Sequence, residues 1–225
     1  MPLNICVYGD SNSWGYLDDG QGKRYEHRWP VVMARALATA LERGVNLVEE
    51  ALPGRTTAYP DPKEGPEYNG LPYLKPALLS HAPLDMVLIM LGTNDGKARF
   101  EASAEDIAQN LVQLAKIVRR CPCGNGKWRD APAPKVMVIA PPKLGEKCEN
   151  ERWPRFQEWR GGYQKLEALP AILQDKIRVL GDGDVYFADA NAFAVSSHLD
   201  PIHWKAETHH QMGEAMAELL IPILK

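Results

Sequence analysis

Apolar residues fall in short runs, separated by stretches with helical spacing. Ile5–Tyr8, Asn46–Glu49, Met86–Leu91, Val136–Ala140 and Val185–Ala188 read as strands. Met86–Leu91 is apolar without interruption, the pattern of a strand buried on both faces. Trp29–Leu41 repeats apolar residues every three or four positions and reads as a helix. Ser103–Val118 is amphipathic, with Ser103 and Asp106 spaced as a capping pair at its start. Gly162–Lys176 also has helical spacing but carries Pro170, which predicts a break or kink. Glu207–Leu220 reads as the final helix, ending near Pro222. Ala58–Tyr73, Cys121–Pro134 and Lys143–Arg160 read as loops, and long loops in compact domains often carry function.

Strands alternating with helices imply right-handed crossovers and a parallel sheet covered on both faces. The expected fold is α/β: a three-layer α/β/α sandwich of about five strands, flavodoxin-like. No internal repeat or linker divides the chain, so residues 1–225 are expected to form a single domain.

Composition acts mainly by exclusion. The chain is 45% hydrophobic and 24% charged with a net charge of −3, an ordinary globular balance. Both signs are interspersed without a basic face, which argues against a nucleic-acid partner. No apolar run approaches the length of about 18 residues that spans a membrane. Met1–Tyr8 lacks the pattern of a signal peptide and reads as the first core strand. The four cysteines are therefore expected to be reduced, in a cytoplasmic protein. Cys6 reads as a buried thiol, and Cys121-Pro122-Cys123 is too close for an ordinary disulfide. A zinc site from Cys121, Cys123 and Cys148 would lack the usual C-x-x-C pairs, so no metal or cofactor is expected.

Ligands of open parallel sheets bind beyond the carboxyl ends of the strands. Those ends carry Gly9-Asp10-Ser11-Asn12-Ser13, then Gly54-Arg55-Thr56-Thr57, then Gly92-Thr93-Asn94-Asp95. The last loop before the final helix carries Asp200-Pro201-Ile202-His203. Each admits a bland reading. Ser11 fits a helix N-cap, Gly54 a plain turn after Pro53, and Asn94 a turn-former. His203 has rivals in His198, His209 and His210. A metal cluster of Asp200, His203, His209 and His210 is disfavoured, because adjacent helical residues point to different faces. Asp10 and Asp95 read as loop-bracing acceptors. Arg55 fits either a salt bridge to a nearby carboxylate or a contact to an anionic substrate group.

In this order the blocks resemble those of the SGNH (GDSL-type) hydrolases. Gly9-Asp10-Ser11 matches the first block, Gly54 the second, Gly92-x-Asn94-Asp95 the third and Asp200-x-x-His203 the fifth. Glu50–Thr57 and Ile89–Lys97 look most like the bacterial arylesterases and acyltransferases of that family. Asn12 departs from the usual Leu, at a position more structural than chemical. The resemblance implies a serine esterase with Ser11, Asp200 and His203 as catalytic triad. It implies an oxyanion hole of the Ser11 and Gly54 backbone N–H groups and the Asn94 side chain. This chemistry is coherent, since a serine hydroxyl needs a base and the base needs an orienting carboxylate.

The expected substrate is a small-molecule ester with a short acyl or aryl group, with acyl transfer to alcohols as a further capacity. A carbohydrate O-acetyl esterase would use the same residues. A non-catalytic flavodoxin-like binding domain would leave Asp200 and His203 idle, and no phosphate-binding glycine motif follows a strand. Trp14, Tyr16, Trp153, Phe156, Trp159 and Trp204 are candidate pocket walls, with Trp14, Arg55 and Trp204 favoured as substrate contacts. Trp153, Phe156 and Trp159 suggest an exposed apolar stripe, hence a homo-oligomer whose interface helps shape the site entrance.

Overall fold

The computed structural model describes residues 1–225. Five strands form one parallel sheet in the order β2-β1-β3-β4-β5. They are β1 (Leu3–Gly9), β2 (Val45–Ala51), β3 (Met86–Met90), β4 (Lys135–Ala140) and β5 (Val185–Asp189). The period of two along a strand sorts their side chains into two cores. Ile5, Val7, Leu88, Met90 and Ile139 face α2 (Trp29–Ala40) and α7 (Ala206–Leu224), packing on Trp29, Met33, Met212 and Leu220. Tyr8, Val87, Ile89 and Val138 face α3 (Gly70–Ser80), α4 (Ala104–Arg119) and α6 (Gly162–Leu180). The result is the expected three-layer α/β/α arrangement. All five residues of β3 are buried, as its unbroken apolar run required.

Helix α3 was not expected: its segment carries Pro72 and Pro76, and the pattern predicted loop as far as Tyr73. Pro72 falls in the first turn, where a missing N–H has no intrahelical acceptor to lose. The Asn69 side chain caps the start by accepting from Leu71 N at 3.0 Å. Leu74 and Leu78 are buried and hold the helix on the sheet across Pro76. Likewise α6 runs unbroken through Pro170, and α7 continues past Pro222 to Leu224. A proline removes one backbone bond, and buried Leu166, Leu169, Leu173 and Ile177 supply far more packing than that loss costs. Helix α4 begins with the expected capping box, Ser103 and Asp106 bonding reciprocally. No helix is long and apolar enough to cross a membrane.

The chain leaves β1 for β2 on one side, then crosses to β3 on the other. A crevice therefore opens beyond the carboxyl ends of β1 and β3, the position where such sheets bind ligands.

Candidate active site

Ser11 sits on the turn that leaves β1. Gly9 must be glycine there, since a Cβ would stand 2.3 Å from the Ser13 hydroxyl oxygen. The turn opens α1 (Ser11–Trp14), a single helical turn, and its N-cap is Asp10, not Ser11. Asp10 accepts from Asn12 N at 3.0 Å. Ser11 is thus the first helical residue, whose N–H has no intrahelical acceptor and stays available to a ligand.

His203 arrives from the loop before α7. Its Nε2 lies 3.1 Å from Ser11 Oγ, and its Nδ1 lies 2.6 Å from Asp200 Oδ2. Asp200 is fixed in turn by Ile202 N, which donates to Oδ1 at 2.8 Å. Burial alone would raise the Asp200 carboxyl. The hydrogen bond and charge of His203, aided by the Ile202 and His203 amides, outweigh burial and hold it below the usual carboxylate range. The Tyr16 ring covers the imidazole, with centroids 4.3 Å apart. Asn12 ties the two loops together, its Nδ2 donating to the Ile202 carbonyl at 3.2 Å. The departure from leucine at position 12 therefore has a structural use.

Gly54 adopts φ +94°, the left-handed region that glycine tolerates, and its N–H forms no hydrogen bond within the chain. Asn94 donates from Nδ2 to the Arg55 carbonyl at 3.1 Å, leaving its second amide hydrogen free. Asp95 clamps the neighbouring loop by accepting from Thr57 N at 3.0 Å and from the Thr57 hydroxyl. Asp10 and Asp95 brace loops, as expected. Burial pushes each of these two carboxyls up to about 6, against the hydrogen bonds each accepts.

Ser11, Gly54, Asn94 and His203 line one cavity of about 210 Å³. Two of the six candidate aromatics, Tyr16 and Trp159, reach it. The three residues favoured as substrate contacts do not line it. Trp204 is fully buried in the core between sheet and α7, against the His209 ring at 5.2 Å, because the chain enters the helix there. Trp14 stands outside the cavity beneath the Arg24 guanidinium, 5.7 Å from its ring centre. Arg55 points back into the structure, donating to the Glu50 carbonyl and, at 3.4 Å, to the Gly9 carbonyl. Its guanidinium lies 4.2 Å from the Tyr8 ring centre, so main-chain carbonyls and an aromatic face replace the expected carboxylate.

The cavity wall also includes Lys97, Arg155, Tyr68 and Glu64, to which the sequence assigned no role. Lys97 stood in a quoted block, but the other three come from the loops over residues 58–73 and 143–160, whose path no periodicity fixes. The expected apolar stripe is only partly exposed: in α5 (Phe156–Trp159) Trp159 is buried and Phe156 half-buried, as is Trp153 before it. The four cysteines are free thiols, all buried. His209 is buried beside Trp204 and pushed down to about 4 by that burial, whereas His210 is exposed and pairs with Glu214 at 3.4 Å. The candidate metal cluster of Asp200, His203, His209 and His210 does not converge.

Residues 7–210 match the model of the GDSL-like lipase/acylhydrolase family. The chain belongs to this family. It is a carboxylic ester hydrolase. An arylesterase from Vibrio mimicus is 29% identical over 180 residues, covering 77% of this chain and 72% of that protein. An aryl esterase from M. smegmatis matches with a TM-score of 0.86 and 34% identity, over 99% of this chain and 100% of that one. A carbohydrate acetylesterase from Sinorhizobium meliloti matches equally, with a TM-score of 0.86, 34% identity and the same coverage.

Proposed function

We propose that the hydrolase cleaves short-chain acyl or aryl esters through an acyl-enzyme on Ser11. The observation that carries this reading is the continuous chain from Asp200 through His203 to Ser11, at 2.6 and 3.1 Å. His203 Nε2 takes the Ser11 proton as Oγ attacks the ester carbonyl. Asp200, kept ionised, holds the imidazole with Nδ1–H towards itself and stabilises the cation that forms. The Ser11 and Gly54 backbone N–H groups and the Asn94 amide receive the developing oxyanion. His203 returns the proton to the departing alcohol. Water then attacks the acyl group by the same route in reverse, and an alcohol in its place gives acyl transfer. A cavity of about 210 Å³ suits a short acyl chain.

The polar wall supports a second reading, a carbohydrate O-acetyl esterase. Glu64, Lys97 and Arg155 offer hydrogen-bonding partners to sugar hydroxyls. The half-buried Trp153 and Phe156 support self-association through the loop over residues 143–160, and gel filtration showing a clean monomer removes that element.

The test is the rate of p-nitrophenyl acetate hydrolysis by wild type and Ser11→Ala. The variant is expected to lose about 10⁴-fold or more. Retention of a tenth of the activity overturns the assignment.

A further inference from the structure

Lys97 follows the short turn Asn94–Gly96, so the third block that supplies Asn94 also delivers a cation to the same cavity. Its side chain is only 7% exposed, and Nζ makes no hydrogen bond. The nearest carboxylate oxygen, Glu158 Oε1, stands 4.0 Å away. That carboxylate is already engaged, by Arg99 at 3.1 Å and by Arg155 at 2.9 Å. Arg99 also holds Asp61, at 2.5 and 3.2 Å. Three cations therefore share two carboxylates, and two of the three, Lys97 and Arg155, face the cavity. Glu64 is the one carboxylate that lines the cavity itself, but it is exposed and screened by water. The other neighbour of Lys97 is the Trp159 ring, whose centre lies 5.5 Å from Nζ, and a largely desolvated ammonium with no hydrogen-bond acceptor is stabilised further when one arrives. Burial, reinforced by the Arg99 charge, holds the Lys97 pKa below the ordinary lysine value, against Glu158 and Asp61.

We propose that Lys97, assisted by Arg155, forms a subsite for a carboxylate carried by the ester itself. The preferred substrates are then esters with an anionic group on the acyl or the alcohol portion. This inference rests on the reading of Ser11 as nucleophile, which makes the cavity the place where the ester lies.

Two isosteric pairs test it. Ethyl hemisuccinate against ethyl 4-oxopentanoate places the charge on the acyl side. 4-Acetoxybenzoate against 4-acetylphenyl acetate places it on the leaving group. The wild type is expected to favour the anionic member of one pair by about tenfold or more in kcat/KM, the scale of a charge-assisted hydrogen bond. Lys97→Met, of similar length without charge, brings that ratio to about one, and Lys97→Arg retains most of it. Arg155 is partly exposed, so Arg155→Gln supplies a second, structurally mild variant that lowers the same ratio. Equal rates within both pairs, or an unchanged ratio in Lys97→Met and Arg155→Gln, overturns the subsite alone. Turnover that survives Ser11→Ala on neutral and anionic esters alike overturns the nucleophile and the subsite together.

Discussion

The imidazole of His203 stands 3.1 Å from the hydroxyl of Ser11, although 192 positions separate them in the chain. Local propensity cannot bring such residues together. The parallel sheet places the end of β1 and the loop before α7 at one edge, and the Asn12 bond to Ile202 joins them there. The chemistry of the site follows from that junction.

Asp200→Asn is expected to lower kcat by about 10³–10⁴-fold with the fold intact. The amide can donate to Nδ1, which favours the tautomer that no longer accepts the serine proton. Stopped-flow turnover beside a thermal melt separates this from unfolding. A loss below about tenfold removes Asp200 from the proton relay.

Asn94→Ala is expected to lower kcat by about 10²–10³-fold, the usual cost of one oxyanion donor. KM should change little, since the bond strengthens in the transition state. An effect on KM alone makes Asn94 a brace for the Arg55 carbonyl only.

Asn12→Ala removes the strut between the serine turn and the histidine loop. Stability is expected to fall by about 1 kcal/mol, a shift of about 2–4 °C in Tm. The rate should fall up to about tenfold as His203 loosens relative to Ser11. A Tm shift with unchanged kcat/KM limits Asn12 to stability.

Asp10 has its carboxyl raised to about 6, from 3.8 in the unfolded chain. Between those values the folded state holds a proton that the unfolded state has released. Its ionisation therefore costs stability as pH rises from about 4 to about 6, and the cost persists above. Asp10→Asn keeps a capping oxygen but cannot ionise. Its Tm relative to wild type is expected to rise between pH 4 and pH 8, read by calorimetry. A difference independent of pH contradicts the raised pKa.

Much of this was legible in the sequence, for identifiable reasons. The strands show as unbroken or alternating apolar runs, and the reactive residues follow them directly. Ser11, Gly54, Asn94, Asp200 and His203 could be named because the blocks that hold them, taken in order, resemble those of the SGNH hydrolases; taken singly, the serine, glycine and asparagine each also fit a cap or a turn. Helix α3 was hidden because Pro72 and Pro76 mask a helix held by tertiary packing. Trp204 was misplaced because its neighbour His203 turns to the cavity while it turns to the core, a difference of direction that composition does not encode. Lys97 carried no visible role because its meaning lies in the absence of a close carboxylate, which appears only when Arg99, Arg155 and Glu158 are seen together.

The central claim is most directly tested by labelling the nucleophile covalently. The enzyme is treated with an alkyl fluorophosphonate, digested and mapped by mass spectrometry. One adduct is expected, on the peptide bearing Ser11, with activity lost in proportion and no adduct in Ser11→Ala. Labelling of another residue, or full activity with Ser11 modified, would contradict the account.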